Sequence, residues 1–277
     1  HTGLGKPADG GVTIQERLGV PYLKPISALQ TTVEAWRSRP EGLAPGDLAG
    51  QVIVQELEGT IEPLLISAQR TAGEYRIEVP IAERIDRFAD RTASWVALRK
   101  TPAAQKRLAI IYYNADLGGE SLAQGSVSGM FLDAPESLVQ VSSALQRHGY
   151  RIQPPADKST LIERLRQTGR NLGPWAQSDI DAMALRPEVV RIAAADYVRW
   201  FRAHLTSEQQ QAVIAKYGEP PGQLMVTHIS GAPEIVIPQV VLGPGVSLFP
   251  QPEKGGRQDS RLVHDQTIPP SHQYIAF

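Results

Sequence analysis

Apolar and polar positions alternate along this chain in blocks, and the clearest block runs from Arg107 to Ile152. It opens with the continuous apolar run Leu108-Ala109-Ile110-Ile111-Tyr112-Tyr113, too short for a helix and rich in β-branched and aromatic residues. That pattern predicts a strand buried on both faces. A polar, glycine-rich loop follows, with Gly118, Gly119, Gly125 and Gly129 between Asn114 and Phe131. Next comes a helix with readable ends: Asp133 as cap, Pro135 in the first turn, Glu136 at the capping-box position and Gly149 as terminator. Leu138, Val141 and Leu145 make its buried stripe, and Tyr150-Arg151-Ile152 resumes an extended pattern. The whole reads as a βαβ unit, whose loop at the carboxyl end of the first strand is where open α/β sheets bind ligands.

Before this unit, Val20 to Ile26 is extended, with two prolines favouring an edge, and Thr31 to Ser38 is a short helix. Gln51 to Gln55 reads as a buried strand, and Ile61 to Ser67 and Tyr75 to Ile81 as further extended segments. Arg84 to Lys100 carries Ile85, Phe88, Thr92, Trp95 and Leu98 at helical spacing, the pattern of one buried face. After the unit, Thr160 to Glu163 reads as a capping box for a helix closed by Gly169, and the loop Gly169 to Trp175 presents an Arg, an Asn and a Trp. Ser178 to Leu185 and Asp196 to Leu205 are helical, the latter with Tyr197, Trp200 and Phe201 on one face. Thr206 to Gln209 caps another helix, which ends at Gly218. From Leu224 onward, short extended runs alternate with Gly-Pro turns. These blocks predict an α/β fold of two layered lobes, 1–105 and 106–277, with a mainly parallel sheet around the 107–152 βαβ unit and a β-rich C-terminal segment.

Composition narrows the function. The 277 residues carry a net charge of −1, which gives no electrostatic footprint for nucleic acid or an anionic membrane. With no cysteine there is no disulfide framework, no thiolate ligand and no cysteine nucleophile, which favours a reducing, cytoplasmic compartment. No apolar run reaches spanning length. The chain starts at His1 without an initiator Met and reads as a piece of something longer. Neither a G-x-x-x-x-G-K-[ST] phosphate loop nor a G-x-S-x-G elbow occurs.

Candidate chemistry rests on few side chains. His148 reads as a favourable charge at a helix end, and His204 as packed on its aromatic face. Glu56 and Glu58 read as solvated acids of a turn. His264 and His272 lie in proline-bounded segments, and Asp265 follows His264. A neutral imidazole accepts protons and ligates metals near pH 7, and an adjacent carboxylate orients it, but two surface-loop histidines would look the same.

Taken in order, several runs resemble one family. They are Val20 to Ile26, Trp36-Arg37-Ser38, Gly42-Leu43, Val54 to Gly59, Arg107 to Asn114, Leu132 to Leu138, Gly149-Tyr150, Gly169-Arg170-Asn171, Tyr217 to Gly222, His264-Asp265 and Pro269 to Phe277. The family is the large subunit of cobaltochelatase, with its relative the magnesium chelatase H subunit. Two departures stand out: Ala115 to Glu120 lacks the family's loop character, and Tyr217 replaces a Trp. The family's histidine- and glycine-rich signature does not occur in these residues. The resemblance implies a subunit that binds a tetrapyrrole and inserts a divalent metal, Co2+ favoured and Mg2+ possible, while ATP is hydrolysed by separate AAA+ partner subunits. It implies His264 and His272 for proton acceptance and metal transfer, and Arg170, Asn171 and Asn114 for holding the macrocycle; no residue set is picked out as a resident metal site. Metal removal from a macrocycle such as haem, and a tetrapyrrole-binding or assembly module without catalysis, are the other readings.

Overall fold

A computed structural model describes residues 18–39, 42–57, 59–112, 133–252, 265 and 267–277. The fold is mixed α/β, in two compact units, His1–Thr101 and Pro102–Phe277.

In the first unit, β1 (Ile26–Thr32) pairs parallel with β2 (Leu65–Ala72), which turns at Gly73 into antiparallel β3 (Tyr75–Pro80). Ile26, Ala28, Leu65, Ala68 and Ile81 form its core. Thr32 ends β1 and caps α1 (Val33–Ser38), its hydroxyl accepting from the Ala35 amide at 3.2 Å. The strand expected at Gln51 to Gln55 is instead part of a helical run from Pro45 to Leu57 containing a π-turn, Ala49–Ile53. A β-branched run lowers helix propensity by only tenths of a kcal/mol per residue, roughly, so tertiary contacts decide. The deciding contact is the Gln51 amide, which accepts from Ser27 N at 3.2 Å and donates to Ser27 O at 2.7 Å, so β1's edge is satisfied by a side chain in place of a strand.

The helix α2 (Ala82–Lys100) forms as its periodicity predicts, but no residue of it is buried among the described residues. Polar ties hold it instead. The Arg91 guanidinium grips Glu62 with two donors, Trp95 Nε1 donates to the same carboxylate at 2.9 Å, and Arg84 Nε donates to Leu65 O at 3.2 Å.

In the second unit, β4 (Leu108–Tyr112) is followed by α3 (Ala134–Arg147), α4 (Lys158–Thr168), α5 (Gln177–Ala184), β5 (Val190–Ala193), α6 (Ala194–His204) and α7 (Ser207–Tyr217). Then come β6 (Val226–Thr227), β7 (Glu234–Ile237), β8 (Val240–Gly243), β9 (Val246–Pro250) and α8 (His272–Ala276). One sheet has the order β4-β9-β8 and the other β5-β7-β6. The chain crosses from one sheet to the other between Ile237 and Val240, where Pro238 has no amide to continue a ladder. Leu161 and Leu165 of α4 and Val139 of α3 pack with Val240, Leu242, Val246 and Leu248 to form the core beneath the first sheet. Tyr197, Phe201 and Val213 pack with Ile235 and Ile237 under the second.

The capping residues act largely as their positions predict. Asp133 accepts from Glu136 N at 3.1 Å, Gly149 closes α3 at φ 84°, and Thr206 and Gln209 form a full capping box. Asp157, rather than Thr160, caps α4, and Val141 is exposed while Val139 takes the buried place on α3.

Two larger expectations are corrected. The 107–152 segment does not close a βαβ unit, because Tyr150 to Ile152 forms no strand and β4 pairs in parallel with β9 instead. Pro154 and Pro155 stop any ladder there, and Ile152 is spent as a core side chain. The sheets are not mainly parallel either: of the six pairings between named strands, β1–β2 and β4–β9 are parallel and four are antiparallel. Short Gly-Pro turns after Leu224 favour hairpins, which pair antiparallel. At the edge of its sheet, β4 buries one face only, and Ile111 is exposed.

Candidate functional site

At the carboxyl ends of β4 and β9, the loop 169–175 and helix α8 converge. Gln251 N donates to Tyr112 O at 2.8 Å, which carries the pairing of the two strands one residue past β9. The Tyr112 hydroxyl donates to Gly169 O, and burial pushes that phenol far above its ordinary pKa, so it stays a donor. A β-carbon at Gly169 would stand 2.6 Å from that hydroxyl and 2.9 Å from Val240 Cγ2, so only glycine lets the loop approach the strand end.

After Arg170, which is partly exposed, the loop buries Asn171, Leu172 and Gly173 in a row and then exposes Pro174 and Trp175. Asn171 points inward and is 1 % exposed. Its Nδ2 donates to Gln251 O at 2.8 Å, and its Oδ1 accepts from Gln273 Nε2 at 2.8 Å. Leu172 is also buried, its amide 3.1 Å from Met225 Sδ. Trp175 is 75 % exposed. The Arg170 guanidinium lies 3.6 Å from an Asp179 carboxylate oxygen, and its Nε is buried with no hydrogen-bond partner.

The second support is α8. Ser271 caps it, accepting from Tyr274 N at 3.2 Å, and Ser271, His272 and Gln273 are all buried. His272 sits with Nε2 2.9 Å from Gly218 O and Nδ1 2.9 Å from the Tyr197 hydroxyl. A carbonyl only accepts, so Nε2 carries the proton and Nδ1 accepts from Tyr197. Burial holds the imidazole pKa below its ordinary value; the Gly218 bond and Glu219 oppose this. The ring is therefore a neutral imidazole packed edge-on to Tyr197 and against Phe201, joining α6 to the turn after α7.

Of the residues singled out from sequence, Arg170, Asn171 and His272 fall within this one region. Asn171 and His272 are linked through adjacent Gln273. Asn114 and His264 lie outside the described residues. Asp265, beside His264, accepts from Thr267 N at 2.8 Å and Thr267 Oγ1 at 2.7 Å. Tyr112, Tyr197 and Gln273 were not singled out as site residues, because aromatic and amide side chains on apolar elements carry no chemical signature of their own. Among the described residues no group of three or more His, Cys, Asp or Glu is placed to hold a metal ion.

Comparison with known proteins meets this geometry from the other side. The family model CobN/Magnesium Chelatase matches residues 3–277, the whole of both units but two residues. The chain belongs to the CobN/magnesium chelatase family. It is 30% identical to the aerobic cobaltochelatase subunit CobN of Pseudomonas aeruginosa over 277 residues, covering 94% of this chain and 20% of that protein. It is 25% identical to the magnesium-chelatase H subunit of Chlorobaculum parvum, covering 99% of this chain and 20% of that one. The catalytic subunit of cobaltochelatase from Mycobacterium tuberculosis superposes with a TM-score of 0.72 at 28% identity, over 95% of this chain and 21% of that one. The chain thus spans about a fifth of the length of these relatives. No helix among the described residues is long and apolar enough to cross a membrane.

Proposed function

We propose that this chain is part of the large, tetrapyrrole-binding subunit of a cytoplasmic, ATP-dependent metal chelatase that inserts a divalent metal into a corrin or porphyrin precursor. Cobalt is favoured over magnesium. The observation that carries the reading is the family match along nearly the entire chain, with higher identity to a cobaltochelatase subunit than to a magnesium-chelatase subunit. The metal is substrate, handed to the ring as two pyrrole protons leave. ATP belongs to separate AAA+ partners, in keeping with a sequence that contains no phosphate loop.

Within this reading the residues divide by task. Arg170 holds a peripheral carboxylate of the macrocycle, through the part of its guanidinium that stays exposed beside Asp179. Asn171 and His272 are positioning residues: one fixes the loop 169–175, the other the turn at Gly218. His264 is proposed as proton acceptor or metal donor, and Asn114 as a macrocycle contact. The test is metal insertion by the longer protein with its ATPase partners. Cobalt insertion that needs ATP and falls sharply in His264→Ala supports the reading. ATP-independent turnover, or an unchanged rate in His264→Ala, removes the corresponding part of it.

A second reading has its own support. It is a tetrapyrrole-binding or assembly module without catalysis of its own, which the chain's span of about a fifth of its relatives' length leaves open. Ring binding without turnover in the complete system would favour it. Demetallation of haem by that system would favour a metal-removing chelatase instead.

A further inference from the structure

The loop 169–175 holds an exposed indole in a fixed place. Trp175 is the middle residue of a 3₁₀ turn, Pro174–Ala176, closed by Ala176 N donating to Gly173 O at 3.0 Å. A β-carbon built on Gly173 would stand 2.2, 2.3 and 2.4 Å from Cη2, Cζ3 and Cζ2 of Trp175. Near-equal distances to three successive ring atoms mean that the carbon would enter the face of the six-membered ring and not meet its rim. The indole therefore lies with one face on the Gly173 backbone and the rest of its surface in solvent, 75 % exposed. It has no route inward, because the inner side of the loop is already taken by Asn171 and Leu172.

Covering an exposed indole removes apolar surface from water, so a Trp held outward favours a flat apolar partner. Its loop-mate Arg170, five residues away, carries a partly exposed guanidinium whose nearest carboxylate, that of Asp179, lies at 3.6 Å. A flat, apolar ligand with carboxylates at its edge suits the indole by its face and the exposed part of that guanidinium by its edge.

We propose that Trp175 is the stacking platform for the flat face of the tetrapyrrole, with Gly173 keeping open the space that sets its plane and Arg170 receiving an edge carboxylate. This rests on the tetrapyrrole-binding reading above. Stacking on a fixed indole adds dispersion and excludes water on one ring face without ordering a mobile side chain on binding.

The test is absorbance titration of the 277-residue chain with deuteroporphyrin IX, a planar dicarboxylate. Base–aromatic stacking, worth about 1–3 kcal/mol, sets the scale, so Trp175→Ala is expected to weaken binding roughly 5- to 150-fold. Trp175→Phe should weaken it less. Gly173→Ala keeps the indole but pushes it off its seat, and since Gly173 has an ordinary φ of −77° the backbone tolerates the change. It should weaken binding with the fold intact by circular dichroism. Trp200→Ala, at another exposed Trp, should leave binding unchanged. Unchanged binding in Trp175→Ala, or an equal loss in Trp200→Ala, overturns the platform while the tetrapyrrole reading stands. No binding by the unaltered chain overturns both.

Discussion

Residues 171 and 175 of one loop, at the strand ends of the second unit, sit in opposite surroundings. Asn171, with Tyr112, Tyr197, His272 and Gln273, is turned inward, and in each of their hydrogen bonds a donor meets a defined acceptor. Trp175 is turned outward with an uncovered ring, and Arg170 lies between the two, partly exposed beside Asp179. A buried polar network holds a fold because breaking any member strands the others, whereas an exposed side chain is removed at little cost to stability and stays available to a ligand. Burial, with the hydrogen bonds it demands, separates the inward residues from Trp175.

The contrast breaks most visibly at His272. His272→Ala removes both ring nitrogens, leaves the Tyr197 hydroxyl and Gly218 carbonyl without their partner, and opens a cavity beside Phe201. A loss of about 2–5 kcal/mol is expected, read as a lowered urea midpoint. Asn171→Ala comes next, at about 1–3 kcal/mol, because the Gln251 carbonyl and Gln273 amide lose their partner without a comparable cavity. Trp175→Ala should change the urea midpoint by about 0.5 kcal/mol or less, as exposed positions do. If the outward residue proves as destabilising as the inward ones, the division fails.

Acid sharpens the comparison. Burial depresses the His272 pKa in the folded state, so the neutral ring contributes stability that is complete above the unfolded value, about 6.5. As pH falls below that value, the unfolded chain takes up a proton that the folded one refuses, and stability declines until the folded pKa is passed. Urea midpoints compared across pH 7 to 5 should therefore fall more steeply in the unaltered chain than in His272→Gln. Parallel slopes would mean that the imidazole is not held neutral by the fold.

Much of this arrangement was legible from residues alone. The helices from Ala82 to Lys100, Ala134 to Arg147 and Ser207 to Tyr217 follow from periodicity and caps such as Asp133 and Thr206, which are local physics. The partner of β4 was not legible, since β9 lies more than a hundred residues on, and nothing in Leu108 to Tyr112 names Val246 to Pro250. Gln51 failed for the same reason: its side chain does a strand's work on Ser27 from inside a helix, a contact 24 residues distant. The loop 169–175 is marked in the sequence by its Arg, Asn and Trp, but the burial of Asn171 and Leu172 depends on Met225, Gln251 and Gln273, which lie 53, 80 and 102 residues from their partners in the loop.

The first unit offers the same contrast in weaker form, at its surface. Arg37 and Glu83 are both more than half exposed, whereas Glu62 is mostly shielded and is held by Arg91 and Trp95 at a left-handed φ of 58°. Arg91, then Trp95, holds the Glu62 carboxyl below its ordinary pKa, so its contribution is present above the unfolded value and is lost as pH falls through the lower folded one. Arg91→Ala should lower the thermal midpoint at pH 7 and reduce the further loss seen between pH 5 and 3, because the acid-sensitive pairing is already gone. Arg37→Ala should shift the midpoint least of all these variants, and less still in high salt, which screens an exposed pair. Equal effects from the two arginines would mean that two donors and an indole around one carboxylate count for no more than a single solvated contact.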